Sequence, residues 1–279
     1  MVEGGVTDSV PEPFIRIGRG EPLLLLHGLV LTWQSWTPVI DDLAGSAGRA
    51  GYDILAPTLP GHWGGPAPAR PATFSGLADA MELLLDEAGW ATTHIAGNSV
   101  GGWLALELAA RGRARSVTAI APAGLWAGPD AAASLLRRYR ALGPLIGLDT
   151  DRPPAMPSMI RSLLVPLLAH RPAAVPNRLA KAMAAAPANC SILTDLAEDP
   201  ALPLGFTGLD TLDTPTTVLL PEHDRVLPPH VYAPLADTPT LTVRALPGVG
   251  HVPMLEDPDA VTAEIRATTA RAKAASQSA

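Results

Sequence analysis

The sequence predicts an α/β fold: a mostly parallel sheet flanked by helices and interrupted once by a helical insertion. Three observations predict it. Short apolar runs end abruptly at Gly or Pro, as strands buried on both faces do. Stretches of helical spacing lie between them, and strands alternating with helices imply right-handed crossovers. Between residue 125 and about residue 206 the alternation stops, prolines crowd in, and the alternation then resumes.

The elements follow in order. FIRI (14–17), LLLL (23–26) and YDILAP (52–57) read as strands, the second ending at His27-Gly28 and the third in the turn-rich PTLPGHWGGPAPARP. TFSGLADAMELLLDEAG (73–89) has helical spacing, with Leu77, Met81, Leu84 and Leu85 on one side, Thr73 as cap and Gly89 as stop. THIAGN then reads as a strand, VGGWLALELAARG as a helix and SVTAIAP as a strand. TTVLLP (216–221) and LTVRALP (241–247) are late strands, and residues 257–275 form a closing helix. In the insertion, GPD, DRPPAMP, RPAAVP and DPALP would end helices repeatedly, so several short helices are expected. The chain thus divides into a core (1–124), a helical cap insertion (125–206) and the rest of the core (207–279).

Composition narrows the function. The chain has 279 residues, 47% of them hydrophobic and 17% charged, which is globular and long enough to bury a large core. A net charge of −7 disfavours a nucleic-acid partner. The basic runs RGRAR (111–115) and RRYR (137–140) read as solvated faces. One cysteine, Cys190, forms no internal disulfide and no cysteine metal cluster, and without a basic neighbour in sequence it reads as inert. The start, MVEGGVTDSV, has no basic-then-apolar run, and no stretch approaches the ~18 apolar residues of a membrane span. A cytoplasmic protein, monomer or homodimer, without membrane contact is the expectation.

The chemistry centres on GNSVG. It fits the pattern G-x-S-x-G, and it falls where a strand run becomes a helix run. Such a turn lifts a serine hydroxyl above the carboxyl ends of the strands, where ligands bind in open α/β sheets. Ser99 as a nucleophile needs a base and an acid to orient that base. Of seven histidines, His251 in LPGVGHVPMLEDP follows a late strand and precedes the last helix. His94 lies within a strand and reads as core; His170, His223 and His230 show nothing specific. Asp224, in PEHDRVLP, also follows a strand, whereas Asp195, Asp199, Asp210 and Asp213 precede it. The order Ser99, Asp224, His251 is the hydrolase order for this elbow. The oxyanion formed by acyl transfer needs two fixed donors. The backbone N–H of Val100 and that of Leu29, in the turn HGLV (27–30), are the candidates.

LLLLHG, DILAPTLPGHWGG, IAGNSVGG, LLPEHDRVLP and LPGVGHVPMLEDP together resemble segments of the α/β-hydrolase family, in the family's order. They cover residues 14–124 and 215–270; the insertion corresponds to the family's variable cap. The resemblance implies an eight-stranded, mostly parallel sheet, a cap that forms the substrate pocket, and neither metal nor organic cofactor. Trp36 occupies a place where the family often has tryptophan. Pro221 stands where the acid loop often begins with glycine, and Thr58-Leu59 where aspartate-leucine is common. Haloalkane dehalogenases and epoxide hydrolases carry aspartate at the elbow, so Ser99 argues against both. The elbow resembles those of carbon–carbon hydrolases and of small-ester carboxylesterases, but Val252 replaces the tryptophan common after the histidine of the former.

The expected activity is hydrolysis of a carboxylic ester of a small to medium hydrophobic substrate through an acyl-enzyme. The pocket is expected to be lined by Trp36, Trp126, Leu164 and Leu168, with Leu163, Leu167, Trp33 and Trp103 as further candidates. Two other readings compete. A carbon–carbon hydrolase of a dienoic acid would need a cap cation, from Arg161, Arg171 or Arg178. A ligand-binding protein would keep the three residues without turnover.

Overall fold

The computed structural model describes residues 10–45, 51–146, 165–236 and 238–278. Within them, Phe14–Gly18 (β1), Gly20–Leu26 (β2), Gly51–Pro57 (β3), Thr93–Asn98 (β4), Ala114–Ile120 (β5), Thr216–Pro221 (β6) and Leu241–Leu246 (β7) build one sheet. Its spatial order is β1-β3-β2-β4-β5-β6-β7. β1 runs antiparallel to β3 and all other neighbours are parallel. Eight strands were expected; the described residues hold seven.

The four leucines of β2 explain how one strand can be apolar throughout. Side chains alternate across a sheet. Leu24 and Leu26 therefore join the core on one face with Leu77, Met81 and Leu104, while Leu23 and Leu25 join the other with Val39, Leu43 and Ile265. All four are fully buried, each worth about 2 kcal/mol relative to exposure. Thr37–Leu43 (α1) and the closing helix Pro258–Ser278 (α10) cover one face, and Phe74–Glu87 (α2) covers the other beside Val100–Ala110 (α3). Helix α2 starts where the cap residue predicts: Thr73 Oγ1 accepts from Gly76 N at 3.0 Å. Helix α3 is buried around nearly its whole girth, as a helix that is apolar on every side must be. A separate turn, Pro253–Glu256 (α9), precedes α10.

The insertion lies between β5 and β6 and is helical: Pro129–Ile146 (α4), Val165–Leu168 (α5), Asn177–Ala185 (α6), Leu193–Glu198 (α7) and Ala201–Leu204 (α8). Four of these are short, as the prolines predict. Helix α4 is longer, at 18 residues, because Pro129 begins it and no further proline occurs before Pro144. Two aspartates of the insertion fasten it to the start of α2. Asp195 Oδ2 accepts from Ala72 N and Arg70 Nη1, both at 2.8 Å, and Asp199 Oδ2 accepts from Phe74 N at 2.8 Å. Among the described residues no helix is long and apolar enough to cross a membrane.

Candidate active site

The turn between β4 and α3 carries Ser99. Its backbone sits at φ 55°, ψ −115°, a conformation an L-residue adopts only when its surroundings impose it. The glycines around it supply those surroundings. A Cβ at Gly97 would lie 2.0 Å from the carbonyl oxygen of Gly101, and one at Gly101 would lie 2.2 Å from that of Leu26. Strand, turn and helix therefore pack backbone against backbone, which is why the motif has no side chains at these places. Val100 is the first residue of α3, so its N–H has no partner within the helix and lies at the positive end of the helix dipole.

His251 and Asp224 arrive from the loops after β7 and β6. His251 Nδ1 lies 2.7 Å from Asp224 Oδ2, with both side chains almost wholly buried. The other carboxylate oxygen, Oδ1, accepts from the backbone N–H groups of Val226 and Leu227, each at 2.8 Å. The Asp224 carboxylate is thus held from both sides. Asn98, the residue before Ser99, donates from Nδ2 to the backbone carbonyl of His251 at 2.9 Å, tying the elbow strand to the histidine loop.

The turn after β2 is built around His27. His27 Nε2 accepts from Leu59 N at 2.8 Å, so the ring is the neutral Nδ1–H tautomer, and Nδ1 donates to the carbonyl of Gly28 at 2.8 Å. Burial, assisted by the neighbouring His62, holds His27 well below its ordinary pKa. His62 packs edge-on at 4.9 Å, and burial lowers it to about 4. Val30, three residues after His27 in the same turn, has φ 56°, strain for a β-branched side chain, at the wall of the cavity.

Ser99, His251, Asn98, Leu29 and Val100 all line one cavity of about 150 Å³. The insertion supplies much of the remaining wall, including Leu135, Leu167, Leu168, Leu193 and Leu196. Phe74 and Trp126 also line it, joined through Trp103, which stacks on Phe74 at 3.9 Å and meets Trp126 edge-on at 6.5 Å. No Asp, Glu, Lys or Arg is among the described lining residues.

The candidates fare unequally. Ser99, His251, Leu29 and Val100 line the cavity, Asp224 is bonded to His251, and Trp126 and Leu168 line the same cavity. Trp36 does not. It is fully buried among Leu23, Leu25, Val39 and Leu43, because the 3-10 turn Trp33–Trp36 leads straight into α1 on the opposite face of the sheet. Trp33 instead donates from Nε1 to the carbonyl of Glu12. Leu163, Leu164 and Arg161 lie outside the described residues. His94 is buried in β4 with Nδ1 at 2.8 Å from Ser116 Oγ. Burial pushes the Cys190 thiol up to about 11. Asn98 and Phe74 escaped the sequence reading. Asn98 had one signal, a polar amide between Gly97 and Ser99 at the end of a strand run; Phe74 had none beyond opening a helix.

A strained elbow at the carboxyl edge of a parallel sheet, under a helical insertion, defines an α/β hydrolase. The chain belongs to the alpha/beta hydrolase family, whose model matches residues 23–264. It is 38% identical over 195 residues to epoxide hydrolase EphH of Mycobacterium tuberculosis, an alignment covering 67% of this chain and 90% of that protein. The fold matches an esterase from Thermogutta terrifontis with a TM-score of 0.67 at 21% identity, covering 93% of each chain. It also matches a meta-cleavage product hydrolase from Pseudomonas fluorescens IP01 with a TM-score of 0.70 at 18% identity, covering 93% of this chain and 94% of that one. The protein is a hydrolase of this fold.

Proposed function

We propose that this hydrolase is a serine esterase acting on a neutral, hydrophobic carboxylic ester through an acyl-enzyme. One observation carries the reading: Ser99 and His251 line one apolar cavity with no Asp, Glu, Lys or Arg among its described lining residues, and Asp224 holds the far nitrogen of His251. His251 Nε2 takes the Ser99 proton as Oγ attacks the ester carbonyl, and Asp224 holds the ring in the accepting tautomer and stabilises the imidazolium. The amides of Leu29 and Val100 receive the oxyanion. The alcohol leaves with the proton from His251. Water, deprotonated by His251, then attacks the acyl carbon; the acyl–oxygen bond to Ser99 breaks, His251 returns the proton to Ser99 Oγ, and the carboxylic acid is released.

Similarity to an epoxide hydrolase favours a second reading, which the nucleophile opposes. A carboxylate that opens an epoxide forms an ester, which water can cleave at its carbonyl. A serine that opens an epoxide forms an ether with no carbonyl to attack, and turnover stops there. Among the described residues the carbon–carbon reading finds no cation at the cavity: Arg171 is engaged with Glu256 and Arg178 is exposed on α6. The test is hydrolysis of p-nitrophenyl acetate, butyrate and octanoate by the wild type beside Ser99→Ala. Turnover that vanishes in the variant supports the proposal; no turnover by folded wild type, or full turnover by the variant, sinks it.

A further inference from the structure

Glu256 is a buried carboxylate, 7% exposed, in the apolar turn α9 five residues after His251. Its two oxygens hold two different parts of the molecule. Oε1 accepts from Gly250 N at 2.8 Å, the residue immediately before His251. Oε2 accepts from Arg171 N at 2.6 Å, in the insertion just beyond α5. The Arg171 side chain returns the contact, Nη2 donating to the Glu256 carbonyl at 3.1 Å.

The two segments so joined touch along their backbones. Val252 N donates to the Leu168 carbonyl at 3.2 Å, and a Cβ at Gly250 would lie 2.5 Å from His170 N. Leu168 lines the cavity and His251 faces it. From the acid loop, Arg225 Nη1 reaches the carbonyl of Pro166 at 3.0 Å, so both loops after the late strands grip the same short stretch of the insertion.

We propose that Glu256 is a positioning residue that sets His251 and segment 168–171, whose Leu168 lines the cavity, together, so that loosening either loosens the other. The physical basis is the acceptor count. A carboxylate can accept on both oxygens, whereas a carboxamide accepts on one and turns N–H groups toward the second amide. Glu256→Gln therefore keeps volume and one strap and loses the other; Glu256→Ala loses both. A loop freed by one strap lets the imidazole wander, and a displacement of about 1 Å costs on the order of a hundredfold in rate.

The placement of Glu256 rests on geometry, and its effect on turnover rests on the ester reading, so two measurements separate them. The first is amide hydrogen exchange of wild type and Glu256→Gln, which needs no substrate. Peptides spanning 249–256 and 165–171 should lose protection together; loss confined to one of them, or to neither, overturns the proposal. The second is kcat for p-nitrophenyl acetate and octanoate per site titrated by a fluorophosphonate, which discounts unfolded molecules. Glu256→Gln should lose about tenfold or more per titrated site on both esters, and its KM should rise further for octanoate. A wild-type kcat per titrated site would make Glu256 a purely structural residue and overturn the proposal. Wild type that neither hydrolyses the esters nor is labelled would sink the ester reading, and the exchange result would still decide the role of Glu256.

Discussion

Asp224 receives three hydrogen bonds on two oxygens: His251 on Oδ2 and the amides of Val226 and Leu227 on Oδ1. No orientation of an asparagine satisfies all three, because its NH₂ must face either the imidazole or the two amides. Asp224→Asn is expected to lower kcat by about 10³ to 10⁴ with the fold retained, measured per titrated site. A loss of less than tenfold would show that another acid orients His251.

The turn of Gly28 leaves no room for a methyl group. A Cβ there would lie 2.9 Å from Asn98 Oδ1 and 3.2 Å from Ser99 Cβ, so Gly28→Ala pushes the Leu29 amide away from the elbow. Removing one oxyanion donor costs about 10² to 10³ in kcat. The expected outcome is a fall of that order in kcat with KM changed less than threefold. An equal rise in KM would place Leu29 in ground-state binding instead.

Chain-length preference should follow the insertion. Leu196 lies on α7 in the cavity wall, and α7 is anchored by Asp195 to Ala72. Leu196→Phe adds volume to a wall that cannot retreat freely, at a cost to stability of about 1 to 3 kcal/mol. Steady-state kinetics should show kcat/KM for octanoate falling at least tenfold against acetate. An unchanged ratio would place the acyl chain elsewhere in the cavity.

Acid should weaken the fold through the histidine pair. Burial keeps His62 at about 4 in the folded chain, whereas an unfolded histidine titrates near 6.5. Between those values the unfolded chain binds the extra proton, so stability is lost as pH falls through that window, by up to about 3 kcal/mol from His62. His27 shifts in the same direction, and its protonation would set a donor against Leu59 N. Melting temperatures of wild type and His62→Asn, taken from pH 7 to pH 4, should diverge, the variant declining less. Parallel curves would refute this assignment.

Much of the fold was legible because its signals are local. Leu23–Leu26 reads as a doubly buried strand, Thr73 marks the start of α2, and the glycines about Ser99 mark a turn too tight for side chains. Trp36 was misplaced because a sequence does not say on which face of the sheet the chain re-enters after a turn. Helix α4 ran long because proline density, averaged over the insertion, hid the gap between Pro129 and Pro144.

By itself the sequence determined the strand–helix alternation, the elbow at Ser99, and the order in which Asp224 and His251 follow it. Periodicity, turn chemistry and motif spacing are properties of neighbours along the chain, and they need no knowledge of distant segments. Only the tertiary structure decided what those residues meet: Asn98 on the His251 carbonyl, Phe74 on Trp103, and Glu256 between Gly250 and Arg171. Each joins parts of the chain brought together by the parallel crossovers or by the folding-back of the insertion. Such pairings depend on the packing of whole elements, which no local spacing encodes.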